Sequence, residues 1–591
     1  MLRGIGILGL LTILLAGCVS PQARMQMAED AEKERDLDIR TVGDVTEVGN
    51  VAPLQIFGVG LVTNLSGSGH SPHGFYRDLM QQILLKRSGS KDGSIVNDEA
   101  KISVRKTLDN PNNCLVIISG FIPGGARKGE RFDVDVTLPA GSKASSLVGG
   151  QLQVCWLKVY EKAANLSDKY NGSNRVLEGH ILGRAHGPLI VGFGNNVDVH
   201  ELKRARVWHG GTSLIDRPYH FIMKNDDKSI RIANSVASRI NFMYQDDPSR
   251  KKIHSDFNDQ ENQILNMGNI ANQLNQKNDA NGMNVHEMAK PMSKDVINVR
   301  VPHAYRLDHE RFVRVSRFTP LRDTDPNLVR YRQRLQKMLL DPLEAQRAAM
   351  RLESLGRASI AALKAGLDSD HPFVRYVSAE SLAYVGSTLG VDTLAEIAHK
   401  HPIFGVSATL ALANLGETIC RDRLTEMLTN DEPSLRCAAF HALSQLDETD
   451  PRLGTLNLND SFWISLVPQA PNRMVYYATG TRPQLMLFGK GITLAAETRM
   501  MVGKDFTIAP ADEPDKIVVK RITFQGERKR VASRRLDETL IALAELGATY
   551  ADAVEFLRKA SDYQHFNCPI LPWTITEVPL ESLVEAGRAM R

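Results

Sequence analysis

Pro342, Pro372, Pro402 and Pro433 recur at intervals of about 30 residues. Ten positions after each stands Leu352, Leu382, Leu412 or Leu443. Fourteen after the first three stand Gly356, Gly386 and Gly416, and Asp447 takes that place in the fourth. Ala349, Ala379 and Ala439 share one further offset, with Ser407 and Ala408 at or beside it in the third unit. A period of this length limits the fold sharply, because one such unit cannot bury its apolar face alone. A proline preset for a helix N-terminus starts each unit. Small residues allow close packing, and glycine ends the helix in a left-handed cap. A second apolar helix follows, as in Val391 to Ala398 and Cys420 to Leu428. The pairs should stack into a short all-α solenoid over residues 330–450, with Leu382 and Leu412 in its core.

This pattern resembles HEAT-like repeats, which implies a protein-binding surface; a rigid spacer is the plainer alternative. The rest of the 591-residue chain is of other kinds, and the length allows three or four domains. Arg3 precedes an apolar run from Ile5 to Ala16, too short for a span of ~20 residues and fit for the core of a secretory signal. Leu15-Ala16-Gly17-Cys18 resembles the bacterial lipobox, which implies lipidation of Cys18 after removal of a signal at 1–18. Val19 and Ser20 follow, with no Asp there, so the resemblance points to the outer membrane and a periplasm-facing protein. Residues 19–40 read as a polar tether. Net charge is +4 on 72 basic and 68 acidic residues, which points away from nucleic acid as a partner.

From Thr41 short strands broken by glycine begin: Val42 to Thr46, then Leu54 to Val62. The second runs into Gly58-Val59-Gly60-Leu61-Val62-Thr63-Asn64-Leu65-Ser66-Gly67-Ser68-Gly69. Phe75 to Lys86 has helical apolar spacing. Gly124-Gly125-Ala126-Arg127-Lys128-Gly129 leads into the strictly alternating Phe132 to Leu138. Ser145-Ser146-Leu147-Val148-Gly149-Gly150-Gln151-Leu152 comes next, then Arg206-Val207-Trp208-His209-Gly210-Gly211-Thr212 as a glycine turn. A helix follows with Ile232, Val236 and Ile240 on one face, and Asp295 to Pro302 closes as a strand.

In this order, these segments resemble the bacterial flagellar P-ring protein family over residues 41–320. The resemblance implies an α+β domain and a structural role without catalysis. It also implies self-association into a ring in the periplasm, with the flagellar rod as partner and peptidoglycan alongside. Two departures stand out. Residues 245–294 form a polar insertion rich in Asn, Gln and Asp. After residue 320 the family's own C-terminal region gives way to the repeats. The alternative reading is an envelope scaffold lipoprotein, outside the flagellum, that binds other envelope proteins.

Residues 455–591 read as a β-rich α+β domain with closing helices. Phe462 to Val467, Met474 to Tyr477, Leu485 to Phe488 and Ile517 to Ile522 are its strands, and Thr539 to Ala560 is helical. No catalytic constellation, cofactor motif or metal spacing stands out. His70 with His73, and His565 with Cys568, each lack the second half of a site. Cys114 and Cys155 leave a disulfide open. The basic run Arg528-Lys529-Arg530 reads as a solvated face, with headgroup or peptidoglycan contact as its alternative. Arg127 and Lys128, at a hairpin entry, are the candidate subunit-interface residues.

Overall fold

The computed structural model describes residues 39–589 apart from 88–97, 163–175, 192–200, 245–286, 323–326, 448–449, 460–461, 479–482, 504, 524–525 and 574–578. Cys18, most of the tether and most of the polar insertion lie outside the described residues.

Thr41 to Val45 is where the first expectation changes. Val42–Val45 is one helical turn, and the strand β1 starts only at Thr46–Gly49. The Thr41 amide donates to the Asp44 carboxylate at 2.6 Å, a capping box that overrides the strand preference of the valines.

Seven strands build the first body: β2 (Leu54–Thr63), β3 (Cys114–Ile122), β4 (Arg131–Thr137), β5 (Gln151–Lys162), β6 (Val176–Pro188), β7 (Ile190–Val191) and β8 (Arg204–Ser213). They run in the order β4-β3-β2-β5-β6-β8-β7. Strand β8 also pairs with β4, from Arg131 against Thr212 to Thr137 against Arg204. Six strands therefore close into a barrel, which leaves no open edge between β4 and β8. The segment read as a glycine turn, Arg206 to Thr212, lies inside β8. A Cβ on Gly211 would lie 2.3 Å from the Phe132 ring, and one on Gly120 would lie 2.7 Å from it. These glycines make room for one aromatic ring inside the barrel. Between Val207 and Gly211 strand β8 has two residues more than β4 has between Val134 and Phe132, and His209, whose φ is +49°, lies in that bulge. Helices α1 (Phe75–Arg87) and α2 (Asp98–Asp109) cover the outside through Met80, Val104 and Leu108 on Val59, Leu61 and Leu115.

The second body is a four-stranded sheet, β1-β9-β11-β10, with β9 (Tyr219–Met223), β10 (Ala289–Pro291) and β11 (Val296–Val299). Strand β10 falls inside the segment expected to be a loop to residue 294. Met288 and Ala289 are buried, so the chain pairs before that point. Helices α3 (Ile230–Met243) and α4 (His309–Arg317) pack on this sheet.

The repeat region is helical throughout: α5 (Leu328–Leu339), α6 (Ala345–Ser354), α7 (Ile360–Leu367), α8 (Pro372–Tyr384), α9 (Val391–Lys400), α10 (Gly405–Leu415), α11 (Thr418–Met427) and α12 (Pro433–Leu446). Helices α6, α8, α10 and α12 touch in succession, so the pairs stack. Leu352, Leu382, Leu412 and Leu443 are all fully buried. Gly356, Gly386 and Gly416 have φ of +64°, +88° and +69°, the left-handed cap that their spacing predicts. Asp447 ends the last helix in an extended conformation instead. The prolines are less uniform. Pro372 and Pro433 sit at the first helical turn, and Pro402 opens a short 3-10 turn. Helix α6 begins only after a turn that follows Pro342.

The C-terminal part has two sheets. One has the order β12-β13-β15-β14-β20, with β12 (Thr455–Leu458), β13 (Phe462–Val467), β14 (Met474–Ala478), β15 (Gln484–Phe488) and β20 (Ile570–Trp573). The other is the meander β16 (Met500–Val502), β17 (Phe506–Pro510), β18 (Lys516–Thr523) and β19 (Gly526–Ser533). The apolar run of β15 has a direct cause. Met486 and Phe488 face the helical core, whereas Leu485 and Leu487 face the C-terminal core, so both faces are buried. Helices α13 (Leu536–Glu545) and α14 (Tyr550–Asp562) replace the single helical stretch expected over 539–560. Gly547, with φ of +87°, lies between them.

Candidate assembly site

Loop 123–130 joins β3 to β4 and carries Arg127 and Lys128. Backbone bonds fix it at 2.8 Å: Gly125 N–H donates to the Arg217 carbonyl, and Arg217 N–H to the Ala126 carbonyl. The buried Arg217 guanidinium donates to the Ile122 carbonyl at 2.7 Å and to Asn50 Oδ1 at 2.8 Å. Burial pushes its pKa below the usual guanidinium value. Arg127 is half-buried, and its guanidinium donates to the Val301 carbonyl, just beyond β11. It therefore ties the barrel to the four-stranded sheet within one chain. Lys128 is exposed, and its amide donates to Asp216 Oδ1 at 2.8 Å, so a rigid backbone presents its side chain to solvent. The structure separates two neighbours that the sequence grouped.

A larger polar cluster lies where the four-stranded sheet meets the helix pairs. Arg311 on α4 is 4 % exposed. Its Nη2 donates to Glu353 Oε2 on α6 at 2.6 Å, and its Nη1 lies 2.6 Å from Glu380 Oε2 on α8. Burial disfavours the charge, but the Glu353 and Glu380 carboxylates outweigh it and hold Arg311 well above its ordinary value. The Tyr305 hydroxyl donates to Glu353 Oε1 at 2.8 Å, and that of Tyr376 to Glu380 Oε1 at 2.7 Å. The Tyr384 ring lies 4.3 Å from the guanidinium carbon. Such a cluster performs no reaction by itself. It fixes the register of α4 against two repeat units, because breaking one partner would leave a buried charge exposed to no water. Reading the sequence missed it. Its members are spread over residues 305–384 and sit on separate helical segments. The available signal was a carboxylate at repeat positions where the surrounding residues, such as Leu352 and Leu382, are core.

The remaining candidates stay apart. His70 Nδ1 accepts from the Lys143 amide at 3.1 Å. Among the described residues no group of three or more His, Cys, Asp or Glu is placed to hold a metal. Cys114 and Cys155 are both buried and no disulfide joins them, and Cys114 Sγ donates to the His70 carbonyl at 3.2 Å. Burial raises the pKa of the Cys114 thiol. The basic run lies on β19, the exposed outer strand of its sheet, where Arg530 pairs with Glu545 at 2.9 Å. Among the described residues no helix is long and apolar enough to cross a membrane.

Residues 41–321 match the family described as flagellar P-ring protein. That family is a structural ring component of the basal body in the periplasm. The match ends just beyond α4, within the packed region and ahead of the helix pairs. No curated protein matches the chain.

Proposed function

We propose, on the premise that residues 41–321 are a flagellar P-ring domain, that this chain is a non-catalytic structural subunit of a P-ring-like assembly. Copies associate head to tail through the barrel and its four-stranded sheet, since only a heterologous interface whose rotation closes makes a ring. Lipidation at Cys18 anchors each copy to the outer membrane, and more than one acyl chain makes that anchoring firm. The flagellar rod passes through, and peptidoglycan lies alongside. The observation that supports this most is the family match across both the barrel and the second sheet. Arg127 ties those two parts together through the Val301 carbonyl, as a ring subunit under mechanical load needs.

A second reading has its own support. Residues 322–591 lie outside the match, so the helix pairs and the C-terminal sheets serve something the family domain does not. In that reading the chain is an envelope scaffold that binds other proteins through the HEAT-like repeats.

The test uses the full chain, because the four-stranded sheet shares its core with the helix pairs. Native mass spectrometry and electron microscopy of envelope fractions labelled for the protein should find closed oligomers at basal bodies. Lys128→Glu should weaken association with a stability change under ~0.5 kcal/mol. Cys18→Ser should release the protein from membranes. A chain that is monomeric in detergent extracts and absent from basal bodies sinks the ring reading and leaves the scaffold.

A further inference from the structure

The last helix, α15 (Leu580–Ala589), leaves the C-terminal sheets and lies on the helix pairs. Leu580, Leu583, Val584 and Gly587 form one stripe at i, i+3, i+4 and i+7, while Glu581, Ser582, Glu585 and Arg588 are exposed. Leu583 and Gly587 are buried, and Leu580 and Val584 pack on the core of the helix pairs. This is how an amphipathic helix is recognised in a groove.

The groove has repeat geometry. Leu343, Phe373 and Ile403 each follow the proline of their unit. Phe373 is 1 % exposed, because Gly587 lies on its ring: a Cβ at residue 587 would be 2.1 Å from Cδ2. On the flanks, Leu343 is 62 % and Ile403 39 % exposed. Arg588 Nη2 donates to the Leu343 carbonyl at 3.1 Å. The helix thus fills the middle of an apolar row. A helix this short is marginal in water, so the groove and not its own propensity holds it.

We propose that this groove is an exchangeable docking site for the C-terminal helix, filled here by the chain's own copy and in an assembly by that of a neighbouring copy. Both forms make the same contacts, so they differ only in the connection from Trp573 and in local concentration. A short tether gives an effective concentration in the mM range, so the closed form dominates in dilute solution. Copies held together by any other contact supply the concentration that favours exchange. The proposal does not depend on a ring, since two copies suffice.

Cysteine trapping tests it. A Cβ at residue 587 would lie 2.4 Å from Phe373 Cγ, so the two Cβ atoms are at most ~3.9 Å apart, close enough for a disulfide after a small shift of the helix. Full chains carrying Phe373→Cys and Gly587→Cys separately are mixed at high concentration and oxidised, with wild type as the control for the half-buried Cys568. The expected result is a disulfide-linked dimer in the mixture alone, and an internal crosslink in the double variant. An internal crosslink with no dimer in the mixture overturns exchange; no crosslink in either overturns the docked pose. Loss of the Phe373 ring weakens the core, so a second measurement keeps that ring. A labelled 579–591 peptide should bind the full-length Leu583→Asp chain at least tenfold more tightly than wild type, whose own helix competes. Equal affinity, or no binding to a folded Leu583→Asp chain, overturns the proposal as well.

Discussion

The barrel and the four-stranded sheet belong to one family match but are held in different ways. The barrel has its own interior, with Ile118, Phe132, Val134 and Val207 enclosed by strands that pair all the way round. The four-stranded sheet has no such closure. Phe221, Val236 and Phe312 belong to the same core as Leu352, Leu382 and Leu412. A boundary defined by sequence similarity thus cuts through a continuous hydrophobic core. The barrel interior closes on itself, although Ile190 on β7 and Trp208 on β8 pack into the C-terminal core, whereas the companion sheet shares its core with the helix pairs.

The largest test of that difference is Glu353→Ala. It leaves Arg311 with one carboxylate and Tyr305 without its acceptor, and breaking a buried pair costs about 3–5 kcal/mol. Hydrogen exchange should show α3, β9 and β11 losing protection together with α6 and α8, while β2 and β3 keep theirs. Equal loss in the barrel would mean that the two bodies unfold as one. A matched pair comes next: Leu412→Ala and Ile118→Ala each remove a fully buried side chain, at a cost of about 2–5 kcal/mol. The first should open the four-stranded sheet and the second the barrel alone.

The junction of the helix pairs with the rest also carries a pH signature. Burial, with His209 nearby, holds the pKa of His441 down at about 4, whereas the unfolded chain titrates near 6.5. Between those values the unfolded state binds more protons, so stability falls as pH drops from about 6.5 to 4, by at most ~1.4 kcal/mol per unit. His441→Gln should flatten that slope in thermal melts; an unchanged slope assigns it to other groups. The smallest expected effect is at a cap. Nothing lies within 4 Å of a Cβ at Gly386, so Gly386→Ala meets only backbone strain at φ +88°, about 1 kcal/mol.

What the sequence disclosed follows the distance over which each feature is encoded. The capping glycines, the repeat leucines and the alternation of Phe132 to Leu138 are local patterns, and they read directly. Barrel closure did not read, because β8 meets β4 and β6 through residues far apart in sequence and no periodicity records that. Arg206 to Thr212 reads as a glycine turn ahead of a strand because the family resemblance implies one, whereas Gly211 makes room for the Phe132 ring inside the strand. Thr41 to Thr46 went the other way: Val42 and Val45 suggested a strand, and the Thr41–Asp44 cap decided for a helical turn. Of the proposed interface pair, the hairpin entry was legible, but the Val301 carbonyl that engages Arg127 lies on another body.

The shared core also sets an order in time. As the chain emerges N-terminus first, the barrel has every strand it needs once Ser213 is made. Strand β1, at Thr46, is synthesised before the whole barrel, yet the salt-bridge cluster that fixes α4 against the helix pairs waits for Glu380. At roughly 5–20 residues per second that interval is on the order of tens of seconds. In the part of it that follows Val299, the core that Phe221, Ile297 and Val299 share with the helix pairs is still incomplete. A mutation in the helix pairs would therefore be felt in the second sheet as well.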